Sequence, residues 1–413
     1  MKKLEKSVPI IRFKGFYEAW EQRKLGDHAK YRRGSFPQPY GNKEWYDGEG
    51  AMPFVQVVDV TSKLTLVENT KQKISKLAQP KSVFVPKGKV IVTLQGSIGR
   101  IAITQYDSFV DRTLLIFDDY EKETDERFWA YTIQKKFEIE KLKAPGVTIK
   151  TITKEALSSF DVHLPQFEEQ QKIGILFKQL DDTIALHQRK LDTLKLMKKG
   201  FLQRMFPNNE EEIPKVRFAD FDGMWKQRKL NSITEKITRK NKELESTLPL
   251  TISAQDGLID QNEYFNKIIA SRNIRGYFLV KNGEFAYNKS YSKGYPWGVV
   301  KRLDNYNMGV LSTLYIIFKP VKINSDFLTK YFDSTYWYRA VSQFATEGAR
   351  NHGLLNIAAS DFFEIELNIP LNNEEQKKIG LFFQQLENII ILHQNKLEKL
   401  SILKKTYLKK MFI

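Results

Sequence analysis

Basic, amide and aromatic side chains are interleaved in three stretches of this sequence, which read "AKYRRGSFPQPYGNKEWY", "YNKSYSKGYPWG" and "GARNHG". Arginine and lysine can hold phosphate groups, and together with asparagine and glutamine they can form hydrogen bonds with base edges in the major groove of DNA. A solvated, lysine-rich surface would account for any single one of these residues. The hypothesis of DNA contact therefore rests on the whole set, whose members are Arg32, Arg33, Gln95, Ser97, Arg100, Asn288, Lys289, Lys293, Arg350 and His352.

Two groups of these candidates follow the same pattern of predicted strands. In "KSVFVPKGKVIVTLQGSIGRIAI", two short apolar strands flank Gly88, then come a polar loop and a third strand. The stretch "GYFLVKNGEFAYNKSYSKGYPWGVV" has the same plan around Gly283. A helix is predicted further on in each case, near residues 125–143 and 325–344. The two polar loops thus carry candidates at corresponding places, namely Gln95, Ser97 and Arg100 in one and Asn288, Lys289 and Lys293 in the other.

The chain contains a long internal repeat, which sets these two modules in equivalent frames. The opening box "RFKGFYEAWEQRKL" returns as "RFADFDGMWKQRKL" after about 205 residues. Residues 168–206 and 374–412 align without a gap and share 21 of 39 residues. This period is far too long for a solenoid repeat. The pattern indicates a tandem duplication in which box and terminal arm stay nearly constant while the module between them diverges.

The two terminal arms are predicted to be long helices that pair with each other. Core-type residues recur in alternating steps of four and three, with no proline inside. They are Ile173, Phe177, Leu180, Ile184, His187, Leu191, Leu194, Lys198, Phe201 and Met205 in the first arm, and Ile379, Phe383, Leu386, Ile390, His393, Leu397, Leu400, Lys404, Tyr407 and Met411 in the second. A helix of 39 residues is about 58 Å long, too long to bury this seam within one small domain.

Polar residues occupy equivalent seam positions in both arms: His187 and His393, and Lys198 and Lys404. The histidines could form a metal site or a pH switch. Alternatively, polar seam residues fix the register of a coiled coil at some cost in stability. The second interpretation is favoured because no carboxylate or second histidine lies at ligand spacing on the same face.

Composition excludes several classes of function. The 413 residues carry a formal net charge of +17, which favours a polyanionic partner such as nucleic acid. There is no cysteine, so disulfides, thiolate zinc sites and cysteine nucleophiles are excluded. No catalytic motif such as a Walker A loop, HExxH or Gly-x-Ser-x-Gly is present. The sequence shows neither a signal-peptide core nor an apolar run of membrane-spanning length, so a cytoplasmic location is expected.

The boxes "RFKGFYEAWEQRKLGD" and "VRFADFDGMWKQRKL", together with the arms "LPQFEEQQKIGILFKQLDDTIALHQRKL" and "IPLNNEEQKKIGLFFQQLENIIILHQNKL", resemble the specificity subunit of type I restriction–modification enzymes. The resemblance covers essentially the whole chain. It implies that each variable module is a target recognition domain reading half of a split DNA sequence, and that the arms form an antiparallel coiled coil. It also implies a non-catalytic subunit that recruits two methylation subunits and the restriction, or translocase, subunits.

The resemblance further implies that this chain binds no cofactor and that S-adenosylmethionine, ATP and Mg²⁺ act on partner subunits, with no membrane involved. The expected fold class is α+β, with two strand-rich modules separated by two long helices in a pseudo-two-fold repeat. Its domains are a box at 1–21, a recognition domain at 22–165, an arm at 166–206, a linker with the second box at 207–226, a recognition domain at 227–370 and an arm at 371–413.

Two other classes of protein stay open at this point. One is a coiled-coil scaffold whose basic charge is incidental, and binding to duplex DNA would separate it from a specificity subunit. The other is a DNA-modifying enzyme with an unrecognised site, which would turn over S-adenosylmethionine as a pure chain.

Overall fold

The computed structural model describes residues 8–143, 154–207, 211–267, 270, 273–291, 294–344 and 355–413. They form two compact units. The first comprises residues 1–189 and 395–413, and the second comprises residues 190–394. Each unit contains one strand-rich module and a segment of each of the two long helices.

The module of the first unit is built from short strands because its apolar runs are only a few residues long and are bounded by Gly, Pro and Asp. Its strands are β1 (Glu21–Lys24), β2 (Ala29–Arg33), β3 (Met52–Val55), β4 (Gln72–Ile74), β5 (Val83–Val85), β6 (Val90–Thr93), β7 (Ile101–Ile103), β8 (Ser108–Val110), β9 (Leu114–Tyr120) and β10 (Asp161–Leu164). Its helices are α1 (Leu25–His28), α2 (Glu126–Lys143), α3 (Lys154–Ser158) and the first part of α4 (Phe167–Arg204).

The strands of the first unit form two four-stranded sheets and one pair. An antiparallel sheet has the order β2-β9-β6-β7, and a second sheet has the order β4-β3-β8-β5 with β3 parallel to β8. The strand β1 pairs with β10. The main core includes the buried Val90, Val92 and Phe117 of the first sheet and Phe128 and Trp129 of α2. The predicted strands on both sides of Gly88 are therefore present, and they are β5 and β6.

The second unit repeats part of this plan with different residues. Its strands are β11 (Lys226–Lys229), β12 (Thr234–Ile237), β13 (Leu250–Ser253), β14 (Gly257–Asp260), β15 (Phe278–Lys281), β16 (Phe285–Asn288), β17 (Val299–Arg302), β18 (Met308–Leu311), β19 (Ile316–Pro320) and β20 (Glu366–Ile369). Its helices are α5 (Leu230–Ile233), α6 (Gln261–Phe265), α7 (Ser325–Asp333), α8 (Trp337–Ser342), α9 (Ala359–Glu364) and part of α10 (Asn373–Met411). The sheet β12-β19-β16-β17 corresponds to β2-β9-β6-β7, and β11 pairs with β20 as β1 pairs with β10. In place of the second four-stranded sheet, the described strands form the pairs β13-β14 and β15-β18.

The prediction of a single helix near residues 325–344 is wrong, because the chain forms two separate helices there, α7 and α8. Ser334 ends α7, and its hydroxyl donates a hydrogen bond to the Tyr331 carbonyl at 2.6 Å. That contact satisfies a carbonyl at the end of the helix, as serine commonly does outside helix interiors. Trp337 then begins α8 and donates its indole N–H to the Phe332 carbonyl at 3.1 Å. The helix predicted near residues 125–143 is α2 and is unbroken.

In the first unit, α4 packs antiparallel against the C-terminal segment of α10. Phe177 packs on Phe412 with ring centroids 5.7 Å apart, and Asp181 forms a 2.5 Å ion pair with Lys404. Later residues of α4 thus meet earlier residues of α10. Tyr131 of α2 donates a hydrogen bond to the same Asp181 carboxylate. The seam lysine therefore has a charged partner on the other arm.

In the second unit, the corresponding segments make the corresponding contacts. Lys198 forms a 2.6 Å ion pair with Glu387, which is the repeat equivalent of the pair just described, and Phe201 packs edge-on against Phe382 at 5.0 Å. Lys330 of α7 takes the place of the module tyrosine and contacts Glu387 at 2.7 Å. Seam residues of each arm, Phe177, Lys198, Phe201 and Lys404, thus contact the opposite arm within their unit.

The second unit extends its ion pair into a chain of alternating charges. Lys198, Glu387, Lys330, Asp333 and Lys301 follow one another with nitrogen–oxygen distances of 2.6, 2.7, 3.6 and 2.6 Å. Burial opposes ionisation of Asp333, but the ammonium groups of Lys301 and Lys330 hold its pKa below the ordinary value. The second module is therefore attached to the arms through ion pairs of Lys330, whereas the first module is attached through a hydrogen bond from the Tyr131 hydroxyl.

An arginine from each opening box holds a buried carboxylate in the first turn of each arm. Arg12 donates through Nε and Nη2 to Glu169 at 2.7 and 2.8 Å. Arg217 donates through the same two nitrogens to Glu375, both at 2.7 Å. The hydrogen bonds to Glu169 raise the pKa of the Arg12 guanidinium, so this side chain keeps its positive charge. This contact explains why both the box and the "EEQ" that opens each arm recur.

The tryptophan of each box packs on the end of an arm. Trp20 lies edge-on to Phe412 at 6.4 Å between centroids, and Trp225 lies edge-on to Phe206 at 6.2 Å. The indole N–H of Trp225 also donates to Glu375 at 3.1 Å. The boxes are therefore fastened to the arms by both charged and aromatic contacts.

The module helix sits directly on a glycine of the arm. A Cβ on Gly174 would lie 2.4 Å from Asp125 Oδ1, and one on Gly380 would lie 2.7 Å from the Cβ of Asp326. Gln170, one turn before Gly174, accepts a hydrogen bond from the Asp125 N–H at 3.1 Å. Only glycine permits this approach, so both arms keep it at the same position.

We expect Gly174→Ala and Gly380→Ala each to destabilise the protein by about 1–3 kcal/mol, because the added methyl forces the module helix away from the arm. Gly200→Ala is the matched control on α4, since nothing lies within 4 Å of its added Cβ. That change should stabilise the helix by up to about 1 kcal/mol. Thermal unfolding of the full chain measures all three, and an equal rise in Tm for the three variants would contradict the close approach.

The Arg12–Glu169 pair gives a second prediction. Arg12→Met leaves a fully buried carboxylate without its counter-charge and should cost about 3 kcal/mol in the free energy of unfolding. The double variant Arg12→Met with Glu169→Met removes both charges and should recover most of that loss. Denaturant unfolding of the three proteins provides the measurement. A double variant as unstable as the single one would mean that the pair matters through packing rather than charge.

Candidate nucleic-acid interface

Loops meet at one end of the sheet β2-β9-β6-β7 of the first unit. Arg33 ends β2, and the Gly34 N–H that follows donates to the Leu114 carbonyl at 3.1 Å. Thr93 ends β6 and pairs with the same Leu114. The Thr93 N–H donates to the Arg100 carbonyl at 2.9 Å. We call this the first loop end: the residues after β2, between β6 and β7, and between β8 and β9.

The loop between β6 and β7 carries three of the predicted contacts. Gln95 and Arg100 are exposed and Ser97 is half-buried. The loop is tied to the sheet by Thr93, whose hydroxyl donates to the Ser97 carbonyl at 2.5 Å and accepts from the Arg100 N–H at 3.0 Å. The Ser97 and Arg100 backbones are therefore fixed, while the Gln95 side chain extends into solvent.

The neighbouring arginines predicted at the end of β2 have different surroundings. Arg32 forms an ion pair with Asp118 at 3.0 Å and donates to the Phe84 carbonyl at 3.3 Å. Arg33 is exposed and pairs with no carboxylate within the described part of the chain. The geometry thus keeps Arg33 as a candidate for contacts with a ligand and gives Arg32 a partner within the module.

Arg112 belongs to the same loop end but was not among the sequence candidates. It lies exposed between β8 and β9, with its guanidinium carbon 5.3 Å from the centroid of the Tyr40 ring. The next residue, Thr113, accepts a hydrogen bond from the Leu94 N–H at 3.0 Å, which places Arg112 beside the β6–β7 loop. The one sequence signal for it is a basic residue in the turn between two apolar runs.

The second unit has an equivalent loop end. Ile237, at the end of β12, pairs with Ile317 near the start of β19. Tyr287, near the end of β16, pairs with Ile316 at the start of β19. The last residue of β16 also pairs with the first residue of β17. We call the residues after β12, between β16 and β17, and between β18 and β19 the second loop end. The four strands thus end together as they do in the first unit.

Asn288 and Lys289 lie at this second loop end, half-buried. Asn288 accepts a hydrogen bond from the Ser290 N–H at 3.0 Å. The Lys289 ammonium donates to the Ile357 carbonyl at 3.1 Å, and the Lys289 carbonyl accepts from the Leu355 N–H at 2.9 Å. Lys289 therefore also joins two segments of the module. Lys293, Arg350 and His352 lie outside the described residues.

Two basic residues that follow β12 complete the second loop end. Arg239 holds the buried Glu284 with two contacts, at 2.8 and 2.7 Å. The Lys240 ammonium lies 3.7 Å from the centroid of the Phe278 ring. Burial lowers the pKa of Lys240 from its ordinary value. A cation beside an aromatic ring therefore occurs at both loop ends, Arg112 in one and Lys240 in the other.

Neither of two other kinds of site is found within the described residues. None of their helices is long and apolar enough to cross a membrane. Their His, Asp and Glu residues form no group that could hold a metal ion.

Solved structures resemble this chain along its whole length. The type I restriction–modification S subunit from M. genitalium matches with a TM-score of 0.60 at 15% identity, covering 98% of this chain and 99% of that chain. A chain solved in work on complex assembly and conformational transition of the type I R-M system matches with a TM-score of 0.52 at 15% identity, covering 96% and 98%. The predicted fold class is therefore confirmed.

Sequence comparisons agree with the fold. The family described as "Type I restriction modification DNA specificity domain" matches residues 17–196. The type I restriction enzyme MjaVIII specificity subunit of Methanocaldococcus jannaschii is 22% identical over 408 residues, which cover 94% of this chain and 91% of the relative. By these comparisons, the chain is similar to type I restriction–modification specificity subunits in both sequence and fold. Its role is to supply DNA sequence specificity, and it is the non-catalytic subunit of its system.

The arms of this chain expose large apolar residues at repeated positions. The first unit exposes Ile175, Leu186, Ile402 and Leu403. The second unit exposes their repeat equivalents, Leu381, Leu392, Leu196 and Met197. In each unit, the first two of these residues are eleven positions apart on one helix, about three turns, so they share a face. Each unit thus exposes one copy of the same set of four apolar residues, which we call the arm patch.

Proposed function

We propose that each loop end reads one half of a split duplex DNA target. The observation that carries this proposal is that the same sheet end recurs in two modules with different side chains. The geometry by which the modules attach to the arms is held constant, whereas the loop ends are not. A homodimeric protein presents two identical surfaces and therefore reads a palindrome. Two equivalent modules with different surfaces can instead read two half-sites of different sequence.

We assign the recognition domains to residues 22–165 and 227–370. The boxes and linker at 1–21 and 207–226 and the arms at 166–206 and 371–413 form the constant frame. Gln95, Ser97, Arg100, Arg33 and Asn288 are candidates for base contacts, and the exposed lysines of each module are candidates for phosphate contacts. Lys293, Arg350 and His352 remain candidates from the sequence.

The partners of the chain are DNA and the methylation and restriction subunits of a type I system. We propose that two methylation subunits bind, one on each arm patch, because the patch occurs once per unit. S-adenosylmethionine, ATP and Mg²⁺ would act on those partners, and the complex would work in the cytoplasm, where its DNA is.

Exchange of one module tests the reading assignment. Replacing residues 22–165 with the module of another specificity subunit should change one half of the methylated sequence and leave the other half intact. Replacing residues 227–370 should change the other half. Mapping of methylated adenines in cells with and without the gene gives the readout. A single exchange that altered both halves would contradict the assignment.

Charged substitutions test the arm patches. Leu186→Glu should remove one methylation subunit from the complex, and Leu186→Glu with Leu392→Glu should remove both, because a carboxylate in an apolar contact is costly to desolvate. Leu77→Glu, at an exposed leucine of the first module, is the control and should leave two subunits bound. The mass of the co-purified complex reports the number of copies. Two copies on the double variant would rule out this surface.

A further inference from the structure

We propose that the first module recognises a guanine in the major groove through one of three arginines at its loop end, Arg33, Arg100 or Arg112. This inference rests on the proposed function, since it requires that the module reads duplex DNA. It goes further by naming a base and the side chains that select it.

Backbone contacts place the three arginines at one end of the sheet. The residue after Arg33 is Gly34, whose added Cβ would lie 2.4 Å from the Asp111 carbonyl oxygen, so that the chain at Gly34 lies directly against the residue before Arg112. On the other side of Arg112, Thr113 is joined to the residue after Thr93, and Thr93 itself is joined to Arg100. Residues far apart in sequence thus converge on one short strip of surface.

The charges of these arginines are available to a ligand. All three side chains are exposed, and among the described residues none of their guanidinium groups has a carboxylate within salt-bridge distance. The nearby Asp111 is buried, and its carboxylate accepts hydrogen bonds from Thr113 and Tyr40. By contrast, Arg32 is engaged by Asp118.

Two of the three arginines are also oriented in advance. The Arg112 guanidinium lies over the Tyr40 ring, and Arg100 donates through Nη1 to the Val60 carbonyl at 3.4 Å. A guanidinium held in one orientation loses less freedom when it forms two parallel hydrogen bonds. Guanine offers O6 and N7 as paired acceptors, and arginine on this pair is the commonest specific contact in the major groove. Because the guanidinium fork also matches phosphate oxygens, the choice between base and phosphate is left to the experiment below.

The second loop end differs in this respect. Within the part of this loop end that the structure describes, the arginine is Arg239, which is held by Glu284. The described loop beside it offers Asn288, Tyr291 and Trp297, an amide and aromatic rings. The guanine contact is therefore assigned to the half-site of the first module.

The test uses the full chain co-purified with its methylation subunits and duplexes randomised across both half-sites. The wild type should select at least one guanine in the half-site that changes when residues 22–165 are exchanged. Replacing that guanine by 7-deazaguanine removes the N7 acceptor but keeps base pairing. Affinity should then fall by about five- to a hundredfold, the range for one lost bidentate contact. This measurement uses unaltered protein, so it does not depend on the folding of any variant.

Variants identify the side chain. At least one of Arg33→Gln, Arg100→Gln and Arg112→Gln should relax the preference for that guanine and abolish the effect of 7-deazaguanine. Arg32→Gln is the matched control and should keep both. The inference is overturned if the first half-site contains no guanine, if 7-deazaguanine is harmless, or if the three variants weaken all sequences alike, as phosphate contacts would. A wild-type chain without any sequence preference would instead defeat the proposed function as well.

Discussion

Each long helix begins on a carboxylate that has been removed from water and neutralised by an arginine of the opening box. Glu169 and Glu375 are almost wholly buried, and a lone buried carboxylate would cost several kcal/mol. The arginine must therefore be present, and the box that carries it is fixed to the first turn of the arm. The strand that follows each box pairs with the strand that precedes each arm. One charged contact thus sets the position of box, module and arm within each unit.

Beyond this contact, the two units solve the same attachment with different chemistry. Tyr131 and Lys330 occupy equivalent places on the module helices and contact the equivalent acids Asp181 and Glu387. A tyrosine hydroxyl donates one hydrogen bond and so needs one acceptor. A lysine ammonium group has three N–H donors and so needs several acceptors. Lys330 accordingly sits within a longer chain of charges that includes Asp333. The geometry of attachment is constant although its side chains are not.

Much of this organisation could be predicted from the sequence, because periodicity and repetition are local signals. The heptad pattern predicted both arms, and the apolar runs around Gly88 and Gly283 predicted the strands that carry the loops. The break at Ser334 could not be predicted, because it depends on one hydroxyl contact and on how Trp337 is buried. Nor could the difference between Arg32 and Arg33, since Asp118 lies on a neighbouring strand far along the chain. Arg112 was missed for the same reason: strand order, and not sequence order, brings it to the loop end.

The glycine in each arm has a consequence for how new specificities arise. Because Gly174 and Gly380 let the module helix rest on bare backbone, the arm recognises the helix start by shape more than by side-chain identity. A donor module needs a capping residue such as Asp125 or Asn324, whose side chains accept from the N–H three residues on at 2.9 Å, and one polar group to meet the arm acid. The arm thus places few chemical demands on the module helix that it carries. A new module has to build its own buried core and to present this short helix start in the right shape.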